Sequence, residues 1–458
     1  MFKEYIIANE DQMIKDLGEM IKIPSKLEEY DNPQYPFGRN VDDALNKFLE
    51  IGKRLGFRTK NIDKYCGYIE FGEGQELVGI IGHLDVVPEG EGWTHPPFEL
   101  TIDNDKLYGR GTTDDKGPMI ASLYAMKAVM ENTAVHKRVR LIIGLNEENS
   151  WKCINYYKTH EEAPTVGFSP DADFPCIYAE KALLTAYTSE TYVENDKIKI
   201  KEIDCKNNRV NVVPKYCSVK LEVDSKIEEE VKKILLEKVS ENISFTKMQN
   251  EFYIETRGIQ AHAAHPELGK NAVSEIVMLL NELFNRYDVE EKTIRLLATK
   301  VRRETNGESL GIDHKNTELG DLTLNLAQLK LEDGKIKSGM NLRIPGDQNL
   351  EEVKTKIEKE LDGIEVKFAG EKPALYIPKD NELVKKLCRI YNEYTGEKRE
   401  PLAIGGATFA RAFKNCVSFG AIKPGEPDMC HQVDEYIKHK DLIDACCMYA
   451  SAIYELAQ

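Results

Sequence analysis

The sequence predicts an α/β protein whose mixed sheet is flanked by helices and whose chain is interrupted by an inserted α+β body. Three observations carry this. Through the first 180 or so residues, apolar strand-like runs such as LVGIIGHLDVV and RVRLIIGLNEE alternate with helical spacing. From about Ala182, segments such as KIKIKEID and CSVKLEV alternate with period two, as half-solvated antiparallel strands do. Near the end the helix-and-strand texture returns. A chain of 458 residues is also too long for one ordinary core. The expected division is a first catalytic part over 1–181, an inserted lid domain over 182–376, and a second catalytic part over 377–458.

Along the first part, EDQMIKDLGEMIK and VDDALNKFLEIGKRLGF carry helical spacing, the latter ending at Gly56 as a cap. GYIEFG and LVGIIGHLDVV read as strands, FELTIDNDKLYGRG as a hairpin turning at Asp103-Asn104, and PMIASLYAMKAVME as a helix. The insert opens on TAYTSETYV and later carries helices over NAVSEIVMLLNELFNRY and NLEEVKTKIEKELDG. The last part holds a helix over NELVKKLCRIYNEYTG. No short-period repeat or low-complexity tract is present.

Composition narrows the function classes. With 41% hydrophobic and 31% charged residues the chain is globular in type. A formal charge of -16 argues against a nucleic-acid surface, which needs a positive face to displace counterions. The same charge leaves cations open as ligands, or does no more than maintain solubility. No apolar run of about 18 residues exists, so no membrane partner is expected. The opening MFKEYIIANEDQMIKDLGEM is acidic and amphipathic rather than signal-like, which makes cytoplasm the expected location. The ten cysteines are scattered, apart from Cys446-Cys447, and form no CxxC pair. They read as buried or incidental thiols of a reducing compartment.

In open α/β sheets, ligand sites gather beyond the carboxyl ends of strands. His83, Glu147 and Glu148 each follow an apolar run at that end, and Asp114 and Asp171 lie in loops after other strands. Imidazole and hard carboxylates without thiolate suit zinc or manganese. Each residue also has a plain reading: a satisfied polar group at a strand end, a turn, a helix cap, or solvated loop charge.

Taken together, GHLDVVPEGEGW, YGRGTTDDKGP, NEENSW, SPDADFP and CHQVDEY resemble, in order and rough spacing, the co-catalytic dinuclear metallopeptidases. That family includes acylases, carnosinases and PepV-type dipeptidases, and the last of these are the nearest in pattern. The resemblance covers essentially the whole chain and implies the fold of the co-catalytic zinc exopeptidases. It makes Asp114 the carboxylate bridging two divalent metal ions. His83 and Asp171 complete one site, Glu148 and His431 the other. Asp85 braces His83 through its far nitrogen, and Glu147 is the general base. The Asp114-Asp115 peptide is expected to be cis.

The resemblance extends into the insert. GIQAHAAHPELGKNA matches a G-x-x-A-H-A element, which gives His262 a role in polarising the scissile carbonyl. The alternatives are that His262 and His265 form a separate metal pair or merely decorate a loop. Asn211 and Arg343 fall where relatives bind substrate, though an arginine in a strand pairs as readily with a nearby acid. Gly405, Gly406 and Thr408 of GGATFAR would present backbone N–H groups to a substrate carboxylate. Glu435 reads either as support for His431 or as a surface glutamate.

The implied activity is hydrolysis of dipeptides by a hydroxide bridging the two metals. An N-acyl amino-acid deacylase or a tripeptidase on the same framework is the alternative, and a non-catalytic metal-binding protein is the rival from another class. Zinc is the expected ion, with manganese or cobalt as alternatives. A short peptide is the expected partner, and a monomer is expected over a dimer.

Overall fold

The computed structural model describes residues 2–28, 32, 34–206 and 209–458. Two compact units emerge. The first comprises Met1–Ala179, Leu375–Ala403 and Thr408–Gln458; the second comprises Glu180–Ala374 with Ile404–Ala407. Among the described residues, no helix is long and apolar enough to cross a membrane.

A nine-stranded mixed sheet forms the centre of the first unit. Its order runs Arg58–Ile62, Cys66–Phe71, Arg138–Gly144, Leu77–His83, Val166–Ser169, Cys416–Ser418, Ile177–Glu180, Leu375–Tyr376, with Leu402–Ile404 also pairing Ile177–Glu180. The four strands from Arg138–Gly144 to Cys416–Ser418 are mutually parallel. Parallel strands covered on both faces read as unbroken apolar runs, which is why Leu77–His83 is buried at every position. Helix Lys116–Asn132 packs on Leu77–His83 and against helices Glu10–Ile21 and His439–Leu456. Two glycines make room for what packs on the sheet. A side chain at Gly82 would strike Asp115 and Met119; one at Gly144, on the other face, would strike the Phe409 ring.

The expected hairpin is present as Thr101–Asp103 paired with Lys106–Tyr108. Its turn lies one residue later than the sequence suggested. Asn104 and Asp105 hold the positive φ angles, 47° and 62°, that a two-residue primed turn requires at both central positions. Gly56, with φ of 94°, follows helix Arg39–Arg54 as expected of a terminating residue.

The second unit holds two four-stranded antiparallel sheets. One runs Thr323–Glu332, Lys335–Ile344, Ala182–Thr191, Glu365–Lys372; the other runs Ile198–Asp204, Tyr216–Val223, Glu251–Arg257, Ile243–Met248. Apolar positions of both sheets share one core with helix Ala272–Arg286. The asparagines that open NAVSE, NLEE and NELV each cap a helix. Asn271 accepts from the Ser274 N–H, Asn349 from Glu351 and Glu352, and Asn381, in the first unit, from Leu383.

One charge in the first unit is deeply buried among the strands. Arg140 donates through Nε to Glu70 Oε2 at 2.6 Å and through Nη1 to the Tyr157 hydroxyl at 2.8 Å. Its guanidinium also lies 3.9 Å from the Tyr68 ring centre. Removing one partner of a buried pair leaves the other charged and poorly solvated. Arg140→Met should therefore lower the unfolding free energy by about 3 kcal/mol in urea denaturation. Glu70→Leu added to it should restore part of the loss.

Candidate metal centre

Strand register brings the acidic motifs together. His83 closes its strand level with Gly144 of the neighbouring parallel strand, so Glu147 and Glu148 emerge just beyond it. On the other side Ile80 is level with Phe168, and the same offset carried forward sets Asp171 opposite His83. Asp114 arrives in the loop before helix Lys116–Asn132, and its peptide to Asp115 is cis. His431 sits in a late loop at φ of 65°.

These five side chains converge into two groups that share Asp114. His83 Nε2 lies 2.9 Å from Asp114 Oδ1 and 3.6 Å from Asp171 Oδ2. His431 Nε2 lies 3.1 Å from Asp114 Oδ2 and 2.9 Å from Glu148 Oε1. Each oxygen of Asp114 therefore serves one histidine, and each group could hold one metal ion.

The donor chemistry fits a cation. His83 Nδ1 lies 2.9 Å from the backbone carbonyl of Asp85. A carbonyl only accepts, so Nδ1 carries a proton and Nε2 is the ring nitrogen turned toward the carboxylates. That buried Nε2 lies against carboxylate oxygens of Asp114 and Asp171. The histidine–carboxylate separations, from 2.9 to 3.6 Å, are short enough for one small cation to be reached by each group.

Electrostatics agree. Burial and then the Asp114 charge push the Glu148 carboxyl up to about 7 and the Asp171 carboxyl up to about 8. Burial opposes the charged form of His431, yet Glu148 and Asp114 override it and push the ring up to about 11. Burial also opposes the charged Asp114, but its bonds to His431 and His83 hold it well below the usual carboxylate range. A divalent cation would compete with protons for these histidine and carboxylate atoms.

The surrounding residues fix these groups. Asp85 uses its two carboxylate oxygens on successive backbone N–H groups, Glu147 at 3.1 Å and Glu148 at 3.2 Å. Its contact with the His83 ring is made chiefly by its carbonyl, while Oδ1 stands 3.4 Å from Nδ1. Asp115 accepts the His83 N–H at 3.0 Å.

Two residues matter more than the sequence indicated. Trp151 shares its indole N–H between the Glu147 carbonyl at 2.9 Å and Glu147 Oε1 at 3.0 Å and packs edge-on against Phe409, which in turn packs on His83. Its position four residues after Glu147 was the only available signal. Glu435 is wholly buried and serves the Asp114 loop rather than His431. Its carboxylate accepts the N–H groups of Gly111, Thr113 and Asp114 at 3.0, 2.8 and 3.1 Å, and Arg110 at 2.7 Å.

A protein-family model described as peptidase family M20/M25/M40 matches residues 79–455. The chain belongs to that family. It is a metallopeptidase, of the expected α/β class with an α+β insertion. This M20-family chain is 36% identical over 468 residues to YtjP of Bacillus subtilis strain 168, covering 99% of each sequence. It is 34% identical over 476 residues to the Beta-Ala-Xaa dipeptidase of Lactobacillus delbrueckii subsp. lactis, covering all of this chain and 98% of that one. Among solved structures it resembles human carnosine dipeptidase 1, with a TM-score of 0.62 at 16% identity over 100% of this chain and 98% of that one. The last likeness concerns the fold.

The other expected residues of this M20-family chain fall elsewhere in the two units. Within the second, Ala263 N–H donates to the Asn211 carbonyl at 2.9 Å, and Val212 bridges to His262. Asn325 Nδ2 donates to the carbonyls of Val210 and Val212, bracketing Asn211. His262 Nδ1 accepts the Ala264 N–H at 3.3 Å, so a proton on this ring sits at Nε2. Arg343 donates to Asn341 Oδ1 at 3.0 Å and to the Gly405 carbonyl at 3.2 Å, and Gly406 follows in the same short segment. Thr408 belongs to the first unit, where its hydroxyl pairs with Ser418 and caps the turn Phe409–Ala412.

Because Glu435 fixes the backbone on which Asp114 rides, Glu435→Ala should weaken metal binding about 10- to 100-fold. Titration of the protein with zinc against a chromophoric chelator measures this, and circular dichroism checks that the fold is kept.

Proposed function

We propose that this M20-family enzyme hydrolyses the peptide bond of dipeptides. The observation that carries the reading is Asp114, which offers one carboxylate oxygen to each of two histidine–carboxylate groups. Full-length similarity to the Beta-Ala-Xaa dipeptidase supports the substrate class.

His83, Asp114 and Asp171 would hold one divalent ion, and Asp114, Glu148 and His431 the other, with zinc preferred and manganese or cobalt as alternatives. When bound, such ions polarise a carbonyl and lower the pKa of water from 15.7 to about 7.

The chain's own residues do the rest. Asp85 pins the successive N–H groups of Glu147 and Glu148. The side chains diverge from there: Glu148 Oε1 reaches His431, and Glu147 Oε1 receives the Trp151 indole. Glu147 accepts the proton of the attacking water at its carboxylate and returns it to the leaving amine. The second unit supplies recognition: His262 is assigned the donor to the carbonyl oxygen that gains charge, through Nε2–H. Asn211 and Arg343 are assigned to the substrate carboxylate, with the segment at Gly405 and Gly406 beside Arg343.

Replacing the base while leaving the ligands is the direct test. Glu147→Gln should lower kcat about 100- to 10,000-fold with metal content by elemental analysis unchanged; full turnover would overturn the assignment. In a parallel panel, kcat/KM should rank dipeptides above tripeptides and N-acyl amino acids. A reversed order would move the function to a tripeptidase or a deacylase on the same metal centre.

A further inference from the structure

Two cysteines of the second unit stand apart from the rest. Strands Ile198–Asp204 and Tyr216–Val223 pair antiparallel with Asp204 opposite Ser218, so the next positions across the ladder are Cys205 and Cys217. Directly opposed residues in such a ladder have Cα atoms about 4.5–5.5 Å apart, inside the range that disulfides span. The two Sγ atoms are 2.6 Å apart as free thiols, against about 2.05 Å in a formed bond. Both are buried, Cys217 fully and Cys205 to within 7%. The Cys205 thiol also donates to the Leu329 carbonyl at 3.0 Å, which helps hold the sulfur in place. Neither sulfur belongs to the metal centre or to the proposed hydrolysis.

We propose that Cys205 and Cys217 form a dithiol that a peroxide closes to a disulfide. The Cys205 sulfur attacks one peroxide oxygen and the O–O bond breaks. Cys205 becomes a sulfenic acid, and the second oxygen leaves as water with the thiol proton. The Cys217 sulfur then attacks the oxidised sulfur and displaces its oxygen as a second water, which carries away the Cys217 proton. Together the sulfurs lose two electrons and the peroxide gains two. Burial pushes the Cys217 thiol above its ordinary range, which keeps it protonated and disfavours it as the sulfur that attacks the peroxide. Cys205, with its slight exposure, is the one a small oxidant meets first.

The bond would tie together both ends of the segment that carries Asn211. That segment is fastened to its neighbour through the Asn211 carbonyl and the Val212–His262 bridge. Oxidation would therefore pin the two strand ends of the second sheet that flank Asn211 and Val212, the residues that touch the His262 loop.

The test needs no assay of turnover, so it stands apart from the dipeptidase reading. The reduced full-length protein is treated with hydrogen peroxide under native conditions, alkylated, unfolded and digested for mass spectrometry. The expected product joins the Cys205 and Cys217 peptides, with a mass about 2 Da below their sum. The thermal midpoint should rise by about 2–4 °C and fall back on adding dithiothreitol. Cys217→Ser should abolish both the link and the rise, and Cys205→Ala serves if that variant does not fold. Recovery of both residues as alkylated thiols, from samples whose methionines are oxidised, would overturn the proposal. So would linkage of Cys205 to any other cysteine.

Discussion

Asp114 confronts two imidazoles at once, one on each carboxylate oxygen, and the local architecture is organised around that placement. Left alone, a buried carboxylate between Glu148 and Asp171 would be pushed toward its neutral form. It remains ionised because two histidines flank it, and the His83 ring is in turn aimed by the Asp85 carbonyl. Glu435 then grips the peptide N–H groups around Asp114, using Arg110 as its counter-charge. The centre is therefore a stack of dependencies. A fully buried ion pair fixes a loop, the loop fixes a carboxylate, and the carboxylate sets the spacing of the two groups.

The sheet makes this stack possible with little irregular backbone. Parallel strands share a direction, so the residues just past their carboxyl ends land on one rim. His83, Asp171 and the Glu147–Glu148 pair reach that rim from three adjacent strands. Glycine at positions 82 and 144 lets Asp115 and Phe409 approach the sheet from opposite faces, beside His83.

Much of this was legible in the sequence. The abrupt end of an apolar run in His83 and Asp85 is a local signal, and it gains meaning from the acidic motifs that end the neighbouring runs. Asparagine caps at 271, 349 and 381 announce their helices in the same local way. Roles that depend on distant partners were hidden. Glu435 resembles any glutamate near a chain's late loop; only the fold brings it to Gly111 and Thr113, more than 300 residues away. The indole of Trp151 could not be read as a partner of Glu147, because that contact depends on a left-handed turn at Trp151 itself. The short segment at 404–407 joins the second unit through contacts that leave no periodic trace. Thr408 sits one residue beyond it and spends its hydroxyl within the first unit.

The chain has only two tryptophans. One of them, Trp151, is buried with its indole N–H bonded to a carboxylate at the rim of the metal centre. Indole emission responds to neighbouring charge and to water, so this molecule carries its own fluorophore beside a cluster of acidic groups. Binding events at the rim become visible as shifts in ultraviolet light, with no label attached and no chromogenic substrate required.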